Sequence, residues 1–317
     1  MKVFITRELP DIAFTLLKKN NIHFDYYKKD QPIPRRILLQ KVKDCDAIIT
    51  LLTEKIDKTI IDQMSRCKII SNLAVGYNNI DINYAKKKKI IVTNTPDVLT
   101  ESTADLTLAL VLACARRLNE GINLIREGKF KGWKPKLLLG TELRGKIFGI
   151  LGSGRIGSAV AVRAKSFGTE IIYFDNSKNR ILEKKVNAKR VSLDKILKLS
   201  DILSVHLPFN NDTFHFLDYK RLSLLKRKVI LINTSRGEII DEKGLLNLLK
   251  KNKSISVGLD VFENEPKLNH ELLKFPNVLI LPHLGSATYD ARDRMARLAV
   301  DNVISVLRGK PPLSSVF

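Results

Sequence analysis

The sequence predicts an α/β protein of two doubly wound parallel-sheet domains, one inserted into the other. Three observations carry this. Short β-branched runs alternate with amphipathic helical segments in both halves of the chain, and strands separated by helices make βαβ units. One long helix signal, Glu101 to Leu118, divides the alternation into two series. A final amphipathic segment, Tyr289 to Arg308, follows the second series and is expected to pack back on the first domain.

The first series reads as strands Lys2–Thr6, His23–Tyr27, Ala47–Thr50, Lys68–Ala74 and Ile90–Asn94, with helices between them such as Pro34–Lys43 and Asp81–Lys88. The Glu101–Leu118 helix carries alanine and leucine almost all round, so it should be buried between domains or against a second subunit. Residues Asn119–Gly145 read as a looser arm holding the only tryptophan, Trp133. From Lys146 to about Ser286 come six strands: Ile147–Leu151, Glu170–Phe174, Ile202–Val205, Val229–Asn233, Ser256–Leu259 and Val278–Leu281. Six strands with helices between them match a doubly wound nucleotide-binding sheet. The expected domains are residues 1–98 with 288–317, and residues 99–287.

A chain of 317 residues suits two domains, and 44% hydrophobic with 28% charged residues is a globular profile. The net charge of +22 raises the question of a nucleic-acid or membrane-surface partner. The lysines are spread along the whole chain without a basic arm or aromatic-interleaved stripe, so a solvated surface is the expectation and neither partner is. The Lys86–Lys89 run ends a helix, where cations are favoured. The chain opens on the strand-like MKVFIT, and its longest apolar stretch, Leu106 to Ala115, is about half a bilayer span. A cytoplasmic location is expected. Cys45, Cys67 and Cys114 are widely separated, with neither metal-ligand nor disulfide spacing. They read as small buried apolar residues, and no metal site is expected.

The segment GILGSGRIG places Gly152, Gly154 and Gly157 after a strand and before a helix, with Asp175 ending the next strand. Gly152 permits the turn, Gly154 lets the backbone approach a pyrophosphate, and Gly157 lets helix and strand pack closely. Asp175 suits the adenosine ribose hydroxyls and would repel a 2′-phosphate, so NAD is favoured over NADP. Lys178 and Arg180 nearby keep NADP as a second choice.

Reducing a 2-keto acid needs a cation for the carboxylate and a protonated general acid for the developing alkoxide. Arg236 in NTSRGEIID, Glu265 in GLDVFENEP and His283 in LILPHLGSAT each follow a strand of the second series. Arginine's planar fork suits a carboxylate. A glutamate hydrogen-bonded to an imidazole raises its pKa and fixes its tautomer, which makes His283 the expected proton donor. Any one of the three alone reads more simply as an ion pair, a turn acid or a structural histidine. Their common placement in loops after strands of one cofactor-binding domain reverses that preference.

Over essentially its full length the chain resembles the D-isomer-specific 2-hydroxyacid dehydrogenases, and within them the archaeal glyoxylate reductases. The motifs are VGYNNID (Val75–Asp81), TNTPDVLTESTADLTLALVLACARR (Thr93–Arg117), GILGSGRIG, HLPFNNDT (His206–Thr213), INTSRGEIID (Ile232–Asp241), GLDVFENEP (Gly258–Pro266) and PHLGSAT (Pro282–Thr288). The resemblance implies a Rossmann NAD-binding domain inserted into a flavodoxin-like substrate domain, and a homodimer. It implies that Arg236, Glu265 and His283 are catalytic, and that the Val75 and Gly76 amides hold the substrate carboxylate with Arg236. Leu51 and Leu52 would wall the pocket. Implied cofactor contacts are Ser153, Gly154, Arg155 and Ile156 at the pyrophosphate and Asp175 at the ribose. His206, Pro208 and Thr213 would lie on the adenine side, and Thr234, Ser235, Arg236, Asp260, His283 and Gly285 around the nicotinamide. The expected activity is reduction of glyoxylate or hydroxypyruvate, with closure about hinges near Val98–Thr100 and Ser286–Tyr289. 3-Phosphoglycerate dehydrogenase and phosphite- or formate-type dehydrogenases are the alternatives among enzymes. An NADH-sensing corepressor that binds without turnover is the alternative outside them.

Overall fold

A computed structural model describes all 317 residues, which divide into two compact units. Unit 1 comprises Met1–Leu99 with Ala287–Phe317, and unit 2 is Thr100–Ser286.

Unit 1 runs β1 (Lys2–Ile5), α1 (Asp11–Lys19), β2 (His23–Tyr26), α2 (Arg35–Lys41), β3 (Ala47–Thr50), α3 (Lys58–Asp62), β4 (Ile69–Asn72), α4 (Ile82–Lys87) and β5 (Ile91–Thr93). The strands pair in parallel in the order β2-β1-β3-β4-β5. β3 and β4 are buried throughout, the continuous apolar reading expected of a parallel sheet covered on both faces. Asp57 and Asp81 cap α3 and α4, each accepting a main-chain N–H three residues on.

Unit 2 opens with α5 (Thr100–Ala115) and α6 (Leu118–Arg126). There follow β6 (Ile147–Leu151), α7 (Arg155–Ser166), β7 (Glu170–Phe174), α8 (Arg180–Val186), β8 (Lys189–Arg190), α9 (Leu193–Leu199) and β9 (Ile202–Val205). It closes with α10 (Tyr219–Leu222), β10 (Ile230–Asn233), α11 (Glu242–Lys251), β11 (Ser256–Leu259) and β12 (Val278–Ile280). All seven strands are parallel, in the order β12-β11-β10-β9-β6-β7-β8. The order reverses direction between β6 and β9, the crevice where doubly wound sheets bind ligands. Tyr173, Phe148, Leu203 and Leu231 are fully buried in its core, each worth about 1.5–3 kcal/mol relative to exposure.

Two sequence expectations need correction. The apolar helix ends at Ala115 rather than Leu118, because Arg117 adopts the left-handed conformation at φ 52 and starts a new helix. The arm expected from Asn119 therefore begins as α6. The second sheet has a seventh strand, β8, two exposed residues long at the edge. Cys45 and Cys67, read from the sequence as small buried residues, are far apart in sequence and adjacent in space. The register that pairs Ala47 with Ile69 sets the two cysteines beside each other ahead of neighbouring strands, where Cys45 Sγ donates to Val42 O at 3.4 Å and Cys67 Sγ to Ile69 O at 3.2 Å. Both are free and buried, as is Cys114, whose thiol burial pushes up to about 12.

The chain returns to unit 1 through α12 (Tyr289–Leu307), which packs against α1, β3 and β4. Its Ala299 carbonyl accepts from the buried Ser71 hydroxyl at 3.0 Å. The residues beyond it cover the β5 edge, where Val316 N donates to Val92 O at 3.0 Å. Asn302, fully buried, holds this tail: its side-chain oxygen accepts from Leu313 N at 2.8 Å and Ser314 N at 3.1 Å. Asn302→Leu leaves both amides without that acceptor and is expected to cost about 2 kcal/mol, measured as a drop in urea-unfolding free energy.

Candidate active site

In unit 2 every residue assigned to cofactor or catalysis except Thr213 sits in a loop at the carboxyl end of a strand, or in the helix turn that such a loop enters. Gly152 has φ 91, and a Cβ there would lie 2.7 Å from the His206 carbonyl. A Cβ at Gly157 would lie 2.0 Å from the Gly152 carbonyl, so α7 reaches the strand only because that position is glycine. Around Gly154, by contrast, a Cβ would meet nothing within 4 Å. The loop thus packs tightly behind and opens in front, at the N-terminus of α7, where Arg155 and Ile156 form the first turn. That shape fits a dinucleotide pyrophosphate. Asp175 accepts from Ser153 N at 2.7 Å and Ser153 Oγ at 3.0 Å, both through Oδ2. Arg190 donates to the carbonyls of Asp175 and Asn176 at 2.9 and 2.8 Å and braces this loop.

After β9, His206 Nε2 bonds Ser204 Oγ at 2.8 Å while Nδ1 is buried without a partner. Burial pushes this imidazole down to about 3, so it is neutral at physiological pH. Pro208 is exposed. Thr213 lies further along, its hydroxyl donating to the Pro208 carbonyl at 2.6 Å and accepting from Asn210 N at 2.8 Å. It shapes the loop from within.

The loops after β10, β11 and β12 bring the expected trio together. Asn233 organises the first: its Nδ2 donates to Arg236 O at 2.8 Å, and its Oδ1 accepts from Ser235 N at 3.0 Å. Thr234 is tied to Thr107 of α5, hydroxyl to hydroxyl, at 2.9 Å. Burial disfavours the charge on Arg236, an effect opposed by Glu265 and Glu238. Glu265 accepts from Phe262 N at 3.2 Å through Oε1, and its Oε2 lies 2.9 Å from His283 Nδ1. With that carboxylate on Nδ1, the ring proton there is fixed and Nε2 is left for other work. His283 stands at φ 57. Its N donates to Asp260 O at 2.9 Å, while Asp260 Oδ1 and Oδ2 accept from Leu284 N at 2.6 Å and Gly285 N at 2.8 Å. Burial raises the Asp260 carboxyl, and these amides oppose the rise.

In unit 1, Leu51 and Leu52 follow β3, and Val75 and Gly76 follow β4. The Val75 and Gly76 N–H groups donate to no other group of the protein. Sequence reading passed over the side chains beneath these loops. Glu54 is buried and accepts from Leu51 N at 2.9 Å and Thr6 Oγ1 at 2.8 Å. A glutamate in a polar loop gives no sign of burial until the fold is known.

Residues 108–285 match the family model for the NAD-binding domain of D-isomer-specific 2-hydroxyacid dehydrogenases. A glyoxylate reductase of Thermococcus litoralis is 45% identical over 315 residues, covering 98% of this chain and 95% of that one. Among solved structures, the TT0316 protein of Thermus thermophilus superposes with a TM-score of 0.94 at 38% identity, covering 100% of both chains. A glyoxylate reductase from Paecilomyes thermophila gives a TM-score of 0.89 at 32% identity, covering 100% of this chain and 98% of that one. The chain belongs to the D-isomer-specific 2-hydroxyacid dehydrogenase family. Its activity is that of an NAD-dependent oxidoreductase. No helix is long and apolar enough to cross a membrane.

His206 makes stability pH-dependent with a definite sign. The unfolded imidazole takes up a proton below about 6.5 and the folded one only near 3. Folding stability is therefore full above pH 6.5 and falls as the pH drops toward 3, by at most about 2 kcal/mol between pH 6.5 and 5. Urea unfolding at the two pH values should show this loss, and His206→Gln should reduce it.

Proposed function

We propose that the protein reduces a small 2-keto acid, glyoxylate or hydroxypyruvate, to the D-2-hydroxy acid with NADH. The observation that carries this is the 2.9 Å pairing of His283 Nδ1 with Glu265, one loop from Arg236. The relatives that bear the name glyoxylate reductase support the choice of substrate.

In this mechanism Arg236 binds the keto acid's carboxylate in its planar fork and offsets the charge that grows on the ketone oxygen. The Val75 and Gly76 amides add neutral donors to the same carboxylate, and Leu51 with Leu52 walls the small substituent. When bound, the nicotinamide supplies the hydride. His283, protonated on both nitrogens, gives its Nε2 proton to the oxygen and becomes neutral with Nδ1–H still on Glu265. Asp260 holds the loop that sets the ring's position. Ser153, Gly154, Arg155, Ile156 and Asp175 hold the adenosine diphosphate half of the cofactor. His206, Pro208 and Thr213 line its adenine side, and Thr234, Ser235 and Gly285 complete the nicotinamide end. Asp175 gives NADH precedence over NADPH, since a 2′-phosphate would meet its carboxylate. Drawing on NADH goes with a cytoplasmic location.

A homodimer goes with this reading. On α6, Leu118, Ile122 and Ile125 form one apolar stripe and are 50%, 48% and 60% exposed. No residue of that helix is buried. Trp133 and Leu139 in the segment that follows are 82% and 65% exposed. Exposed apolar side chains in this number ask for a protein partner, and a second copy of the chain would supply a matching face.

Initial rates of NADH and NADPH oxidation with glyoxylate, hydroxypyruvate, pyruvate and 3-phosphohydroxypyruvate test the assignment. A preference for either of the first two with NADH is expected, and a preference for the phosphorylated acid would overturn the substrate assignment. His283→Ala should lower kcat by at least about 100-fold with NADH affinity unchanged; near-normal turnover would remove His283 from the mechanism. Light scattering should give twice the chain mass, and Ile122→Glu with Ile125→Glu should halve it.

A further inference from the structure

We propose that Asn94 and Asn72 are positioning residues that aim the Gly76 and Tyr77 main-chain N–H groups, beside a Val75 N–H aimed by the backbone, as an anion cradle, and that Asn79 ties this turn to the Leu51–Glu54 loop. This rests on the reading above, in which the Val75 and Gly76 amides receive the substrate carboxylate.

A trans peptide points its carbonyl and its N–H in opposite directions. Fixing one carbonyl therefore aims the N–H of the following residue. Three consecutive carbonyls are fixed in this way. Ala74 O accepts from Thr95 N at 2.8 Å, which aims Val75 N–H. Val75 O accepts from Asn94 Nδ2 at 2.8 Å, which aims Gly76 N–H. Gly76 O accepts from Asn72 Nδ2 at 2.8 Å, which aims Tyr77 N–H. None of the three amides so aimed donates within the protein. The anchors themselves are anchored. Asn72 is fully buried at the end of β4. The Asn94 carbonyl accepts from Ser314 Oγ at 2.6 Å.

Asn79 joins this turn to the pocket wall. Its Nδ2 donates to Leu51 O at 3.0 Å and Glu54 O at 3.1 Å, and its Oδ1 accepts from Asn72 Nδ2 at 3.2 Å. The loop expected to hold the carboxylate and the loop expected to wall the substituent are thus tied to each other through one side chain. Asparagine suits the task because it donates without charge. A lysine or arginine at these places would compete for the anion, and an aspartate could not donate. Oriented amides that need no reorganisation hold an anion better than flexible ones.

The test uses the full chain carrying Asn94→Ala, Asn94→Leu or Asn79→Ala. Leucine keeps the volume of Asn94 without its donor. Both Asn94 variants should raise KM for glyoxylate about tenfold, the loss expected of a charge-assisted hydrogen bond. With either, kcat should stay within about twofold and NADH affinity should be unchanged. The inhibition constant of oxamate, a carboxylate that mimics the substrate, should rise in step. Asn79→Ala should raise KM by a smaller factor. Recovery of wild-type KM in Asn94→Leu would show that the position only fills space and would overturn the proposal. So would KM and oxamate inhibition unmoved in folded variants. A wild-type chain that neither reduces a 2-keto acid nor binds oxamate would overturn the functional reading and the cradle with it. Normal wild-type turnover with unmoved variants would overturn the cradle alone.

Discussion

The Asp260 carboxylate is the contact on which the geometry of the His283–Glu265 pair depends. It stands at the end of β11, 1% exposed, and its two oxygens take the amides of consecutive residues, Leu284 and Gly285. Its own carbonyl takes the amide of His283. Three bonds from one residue thus hold the loop after β12 to the loop after β11. They hold it in a conformation that histidine does not choose, since φ near 57 costs an L-residue roughly 1–2 kcal/mol. Thr103 of α5 adds a fourth tie, through the Gly285 carbonyl at 3.0 Å. With the loop so placed, the ring meets Glu265, which leaves the same strand end as Asp260 five residues later. A buried carboxylate with no cation bonded to it is expensive, and its raised pKa reflects that cost. The loop geometry is what it stabilises in return.

What the sequence made legible, and what it did not, follows from the range over which each signal acts. The glycine triplet, Asp175 and the helix caps are local patterns, readable because turn geometry dictates residue type over a few positions. Arg236, Glu265 and His283 were legible as residues following apolar strands, although only pairing of those strands makes them neighbours. β8 escaped notice because Lys189–Arg190 has no apolar alternation; it forms by completing a ladder whose partner strand is already in place. The start of α6 was obscured by the polar Asn119 and Glu120 and by Gly121, which lowers helix propensity. Asn72, Asn79 and Asn94 were passed over because asparagine at a strand end reads as ordinary turn chemistry. Their worth lies in which carbonyls they reach, and that is a long-range fact. The thiol pair Cys45–Cys67 is a case of the same kind, created by strand register alone.

The two units use related architecture for different chemistry. Both sheets are parallel and gather their loops at the carboxyl ends of the strands, near the point where the strand order turns. In unit 2 those loops carry charged side chains, and burial disfavours the charge on Arg236 and on Asp260. The corresponding loops of unit 1 offer main-chain groups held by neutral amides. Glu54, held by hydroxyls and a main-chain N–H and paired with Arg7 at 3.7 Å, brings a buried charge among them. Neutral donors keep their strength at any pH in the physiological range, while charged ones can be switched.

The split composition of unit 1 has a consequence during synthesis. α12 buries Ala291, Met295, Ala296, Ala299, Val300 and Val303, and it is the layer that lies on β3 and β4. A ribosome delivers it only after the whole of unit 2 has emerged. The inserted unit can therefore complete its core while the first-made strands still lack one covering. The strands of the first-made segment are among the last elements to reach their final environment, and their apolar sheet face must be kept from other chains until α12 has been made.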